Sequence, residues 1–127
     1  MDILIRFGFT MEEIKNMMDA NDKIEETSDK NINEILDILK NIDCEEDQIK
    51  NILLCNPFCL TKESKEIKKL IQKIKEIHFQ NPALLLDSNP YLLNIQTDEL
   101  EEWMVEKKQA GLTDEEIRDS LQYDMIF

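Results

Sequence analysis

Residues 42–60 read Ile42-Asp43-Cys44-Glu45-Glu46-Asp47-Gln48-Ile49-Lys50-Asn51-Ile52-Leu53-Leu54-Cys55-Asn56-Pro57-Phe58-Cys59-Leu60. An acidic start, an apolar turn and an Asn-Pro stop mark one short helix at both of its ends. The start recurs as Gly8-Phe9-Thr10-Met11-Glu12-Glu13-Ile14 and as Gly111-Leu112-Thr113-Asp114-Glu115-Glu116-Ile117. The stop recurs as Asn89-Pro90-Tyr91-Leu92-Leu93, with Asp124-Met125-Ile126-Phe127 as an incomplete form. Superposed, these markers make Ile14, Ile49, Pro82 and Ile117 equivalent, at separations of 35, 33 and 35 residues. A period of this length is the signature of stacked units, because one such unit cannot bury its apolar faces alone. The chain is therefore read as all-α, a short α-solenoid of about three and a half helix-turn-helix units of 33–35 residues, forming one domain over residues 1–127.

Within each unit the spacing predicts a short helix and then a longer one. Short helices are expected near residues 11–19, 45–55, 82–88 and 114–123, and longer ones near 29–41, 62–78 and 98–109. Thr10-x-x-Glu13 and Thr113-x-x-Glu116 have capping-box form, and Asn81-Pro82 places an N-cap before a proline at the first helical position. Ser28, Asp43, Thr61 and Thr97 are further N-cap candidates. Asn56-Pro57 and Asn89-Pro90 end the short helices, since the residue before proline is driven out of the α region. Ile67, Leu70, Ile71, Ile74 and Ile77 form one apolar stripe. Ile32, Ile35, Leu36, Leu39 and Ile42 form another, widened by Ile38 to contact neighbours on two sides.

Residues 42–60, followed more loosely by 77–93 and 111–127, resemble the repeats of the mitochondrial transcription termination factor (mTERF) family. The resemblance implies paired α-helices with a short 3₁₀ turn, stacked into a curved solenoid that binds nucleic acid or RNA-modifying partners.

Composition narrows the use of such a scaffold. The chain has 127 residues, 42% apolar and 34% charged, with two Gly and three Pro. That is too apolar for a disordered acidic tail, and no apolar run approaches the roughly 20 residues that span a bilayer. A secretory signal is not recognisable in Met1-Asp2-Ile3-Leu4-Ile5, and three cysteines fit a reducing compartment; a cytoplasmic, membrane-free protein is expected. The net charge is −13. Residues 1–43 hold five cations against eleven carboxylates, residues 44–94 are balanced, and residues 95–127 hold three against ten. Polyphosphates bind through cations that displace counterions, so this charge argues against nucleic acid. It favours another protein, with a basic surface, as partner.

Catalytic chemistry finds no foothold. Cys44, Cys55, Cys59 and His78 lack the paired spacing of a zinc site, and the thiols are expected to be reduced and packed. His78 is expected at a helix C-terminus. Glu12-Glu13, Glu45-Glu46-Asp47, Asp98-Glu99 and Asp114-Glu115-Glu116 fall in first helical turns, where carboxylates complement the helix dipole. Asp19-x-Asn21-x-Lys23 lacks the glycine and final glutamate of a calcium loop. No phosphate-binding glycine loop or nucleophile elbow occurs. No cofactor, metal or catalytic residue is expected, and the chain is read as no enzyme. Phe58, Phe79, Tyr91, Trp103, Met104 and the Met17-Met18 pair are expected in the core or between repeats.

The principal expectation is thus a non-catalytic repeat module for protein–protein interaction. The second, drawn from the resemblance, is a nucleic-acid binder using Lys62, Lys65, Lys69 and Lys73 on the helix near 62–78, with Lys68 and Lys75 beside them. The third is self-association through the apolar ends Met1–Phe7 and Tyr123–Phe127, unless these fold back to seal the stack.

Overall fold

The computed structural model describes residues 2–77 and 81–124. Its helices are α1 (Asp2–Phe7), α2 (Met11–Ala20), α3 (Asp29–Asn41), α4 (Glu46–Cys55), α5 (Ser64–Ile77), α6 (Pro82–Ser88), α7 (Thr97–Gln109) and α8 (Asp114–Asp119). No strand occurs among the described residues. The 3₁₀ turns Asp22–Glu26, Pro57–Thr61 and Pro90–Asn94 lead from each short helix to the next long one, and a π-helical turn, Ser120–Asp124, follows α8.

The units stack in register. The long helices form one row, α1 against α3, α3 against α5 and α5 against α7, while α4 packs on α6 and successive 3₁₀ turns touch one another. Ile32, Ile35, Leu36 and Leu39 of α3 meet Ile67, Leu70, Ile71 and Ile74 of α5 in a continuous core. Burying each such side chain contributes about 1.5–3 kcal/mol relative to leaving it in water. α1 folds onto α3 and buries Leu4, so the N-terminal apolar segment seals part of the stack. Leu121 does the same in the π turn, whereas Met125–Phe127 lie outside the described residues.

Caps explain where the helices begin. Thr10 and Thr113 accept from the Glu13 and Glu116 N–H groups, and those glutamates accept from the threonine N–H groups in return. Ser28 caps α3 through Asn31 N–H, and Asn81 caps α6 through Leu84 N–H.

Three expected caps are corrected. Asp43 lies at φ 67° just past α3. There its N–H donates to Lys40 O and the Cys44 N–H to Leu39 O, the paired bonds of a Schellman C-cap. Glu45, two residues on, is the N-cap of α4. Thr61 closes a 3₁₀ turn, donating to Phe58 O at 2.9 Å. α5 starts later, at Ser64, whose N–H donates to Asn31 Oδ1 of the preceding unit. Gln96, not Thr97, is the N-cap of α7.

The register is also refined. Pro82 is the first residue of α6, matching Met11, Glu46 and Asp114, so buried Leu85 is the true counterpart of Ile14, Ile49 and Ile117. The uneven spacing arises in the helices themselves: α5 has 14 residues against 13 in α3 and α7, and α6 has 7 against 10 in α2 and α4. The fourth short helix is α-helical only through Asp119 before widening into the π turn.

Candidate interaction surface

The four lysines expected to form a ridge do not share one fate. Lys62 caps the Pro57–Thr61 turn, and its Nζ donates to Leu93 O at 2.9 Å and Ile95 O at 3.0 Å in the next unit. Burial holds its pKa below the usual lysine value, against the opposing charges of Glu66 and Glu99. Asn31 performs the same service one unit earlier, donating to Leu60 O at 3.4 Å and Lys62 O at 2.7 Å. A long flexible amine and a short amide thus reach equivalent carbonyl pairs.

The other three lysines are interleaved with acid. Lys65 sits 3.4 Å from Glu63 and Lys69 3.8 Å from Glu66, both pairs exposed. Lys73 lies between Glu76 at 3.4 Å and Glu101 of α7 at 3.3 Å. Burial pulls the Lys73 pKa down, but bonds and charge from Glu101 and Glu76 outweigh it and leave it raised. Lys68 and Lys75 are exposed.

The acidic surface gathers on α7. This helix buries only Leu100 of its thirteen residues. Asp98, Glu102 and Glu106 surround the exposed Val105 on its outer side. Trp103 and Met104 are half-buried against the core, with Lys107 Nζ 5.7 Å from the Trp103 ring centre. Phe58 and Tyr91, expected in the core or between repeats, are instead 51% and 59% exposed. Each is the second residue of its 3₁₀ turn, where the neighbouring Cys59-Leu60 and Leu92-Leu93 take the inward positions.

Among the thiols, Cys44 and Cys59 are buried and Cys55, expected to pack, is exposed at the end of α4. No group of three metal-ligating side chains occurs among the described residues; His78 and Phe79 lie outside them. Glu12-Glu13, Glu46-Asp47, Asp98-Glu99 and Asp114-Glu115-Glu116 fall in first turns, with Glu45 at the N-cap of α4. Also among the described residues, no helix is long and apolar enough to cross a membrane.

Sequence reasoning missed a polar ladder. Asn21, Asn56 and Asn89 end the first three short helices, α2, α4 and α6, in nearly the same conformation, φ between −146° and −136° and ψ between 72° and 93°. Each donates Nδ2 to the following unit: Asn21 to Pro57 O at 3.4 Å, Asn56 to Pro90 O at 2.9 Å, and Asn89 to Leu121 O at 3.1 Å. The recurrent asparagine was visible at 56 and 89, but Asn21 lacks the following proline that marks the others.

The arrangement is a stack of helix, 3₁₀ turn and helix, sealed between units by asparagine and lysine side chains. No curated protein and no solved structure is significantly similar to this chain. The mTERF family profile, however, matches residues 1–122, and with the repeats it establishes that the chain is a member of the mTERF family.

Proposed function

We propose that this chain is a non-catalytic mTERF repeat module that docks a protein partner with a basic surface, acting in the cytoplasm. The observation that carries this reading is the disposition of charge. Lys62 is committed to holding two repeats together and Lys73 to Glu76 and Glu101, while Asp98, Glu102 and Glu106 around Val105 are exposed. A chain of net charge −13 repels a polyphosphate and draws in a cationic protein at a rate that falls with added salt.

Affinity purification of the tagged chain, with and without nuclease treatment, tests the proposal. Recovery of the same basic protein in both arms supports it. Recovery that disappears with nuclease favours the second reading, nucleic-acid binding at Lys62, Lys65, Lys69 and Lys73, which family membership supports. A low-salt gel shift then decides between contacts: that reading requires Lys65→Glu with Lys69→Glu to abolish binding to duplex or single strand.

A further inference from the structure

The two ends of the long-helix row carry complementary surfaces. Where α1 crosses α3, a cavity of about 500 Å³ opens to solvent. Ile3, Phe7 and Leu36 line its apolar part; Arg6, Lys30 and Lys40 contribute cations, with Asp29 as its one carboxylate. The Lys40 amine sits 5.4 Å from the Phe7 ring centre, so the cation lies directly beside the apolar lining. This is a cationic mouth on a strongly acidic chain. At the other end of the row, α7 presents Val105, 52% exposed, fringed on its outer side by Asp98, Glu102 and Glu106, with the Lys73–Glu101 pair and Lys108 on the side toward α5.

We propose that the α7 ridge of one copy docks in the α1–α3 groove of a second copy, head to tail. The occupant is chosen by the match of the two surfaces: apolar centre to apolar centre, and the three cations to Asp98, Glu102 and Glu106, Glu101 being paired with Lys73. A helix laid into a groove with one apolar anchor and a charged fringe is a recurrent mode of recognition. At about 0.15 M salt the Debye length is near 8 Å, so contacting charges are felt while the repulsion between two acidic molecules is largely screened. The contact is heterologous, leaving one groove and one ridge unfilled, and growth continues unless the rotation closes a ring. The proposal stands apart from the partner reading, and its failure leaves that reading intact.

Sedimentation equilibrium at 0.15 M NaCl, from 10 µM to 1 mM, tests it. The average mass is expected to climb with concentration above the 15.0 kDa of one chain. A groove variant, Arg6→Glu with Lys30→Glu and Lys40→Glu, and a ridge variant, Glu102→Lys with Glu106→Lys, are each expected to stay monomeric, and an equimolar mixture to associate. All five positions are exposed, so the helical circular dichroism should be retained. The ridge variant is less negative than the parent, so general repulsion would make it associate more, and its dissociation singles out the contact. A parent that is monomeric throughout, a variant that associates like the parent, or a folded mixture that fails to associate overturns the proposal.

Discussion

Asn56, with no solvent exposure, donates its side-chain amide to the carbonyl oxygen of Pro90, 2.9 Å away in the next unit. Pro90 opens a 3₁₀ turn, whose first carbonyls would be sealed from water by the stacking. The same donation from Asn21 and Asn89 makes the asparagine a joint between units rather than only a stop at the end of a helix. Apolar burial drives the stacking, and these amides fix its register, because a slip of one residue would leave a buried carbonyl without its donor.

Asn56→Ala should therefore cost about 2 kcal/mol in urea unfolding, a stranded carbonyl and a small cavity outweighing the removal of Asn56 Oδ1, which is buried without a partner. Asn89→Ala, where the bond is only part-buried, should cost about 1 kcal/mol. Equal effects at the two positions would show that burial does not set the worth of this joint.

Lys62 ought to behave as a structural residue. Replacing it by Met removes two charged-donor bonds to Leu93 and Ile95. Because the amine is only half-buried, the low end of the range applies, and a loss of about 1–2 kcal/mol is expected in thermal or urea denaturation. Lys65→Met, at an exposed pair, should lie within about 0.5 kcal/mol of the parent.

Asp43 sits at φ 67° in the left-handed cap of α3, the site that glycine fills at positions 8 and 111. Asp43→Gly should stabilise the chain by about 0.5–1 kcal/mol by relieving the Cβ conflict, even after the entropy of a freer unfolded chain is counted. The measurement is the urea midpoint at unchanged slope.

That residue also shows what local sequence carries and what it does not. The span of α3 and the limits of α6 follow from caps and prolines within a few residues, and both are where the pattern puts them. The start of α5 is not local. Its first N–H is capped by Asn31, 33 residues earlier, so no window around Thr61 and Ser64 could reveal it. Asp43 was misread because aspartate suits both an N-cap and a left-handed C-cap, and only the observed backbone separates the two. Phe58 and Tyr91 were misplaced because residue type records apolarity but not which side of a 3₁₀ turn faces inward. As for the lysines, helical spacing put Lys65, Lys69 and Lys73 on α5, but the role of Lys62 depends on carbonyls of another unit.

The three thiols should separate cleanly in reactivity. Burial pushes the Cys59 pKa up to about 12 and, with Asp87 and Asp43 adding charge, that of Cys44 up to about 11. Thiolate is the reactive form. In the folded chain at pH 8 one equivalent, Cys55, should react with an aromatic disulfide reagent, and three in denaturant. Raised thiol values also mean that these groups favour folding below pH 9 and progressively less above it, as the unfolded thiols lose protons first. Stability should fall between pH 9 and about 12, and Cys59→Ala should flatten that decline relative to its own value at pH 8.

Acid should act on the opposite sign through Glu13. The Thr10 N–H bond, with Lys50 at 3.3 Å, holds this carboxyl below its ordinary value near 4.5 against the opposing effect of desolvation. A depressed carboxyl favours folding above its unfolded value, and that contribution disappears as pH falls through the folded one. Glu13→Gln keeps an acceptor for the capping box but removes the charge that reaches Lys50 across the unit boundary. The parent should therefore be the more stable at pH 7. From pH 4.5 downward the two denaturation midpoints should converge, meeting once Glu13 is protonated in the folded chain. A gap that persists at the lowest pH would mean that shape rather than charge distinguishes the two side chains.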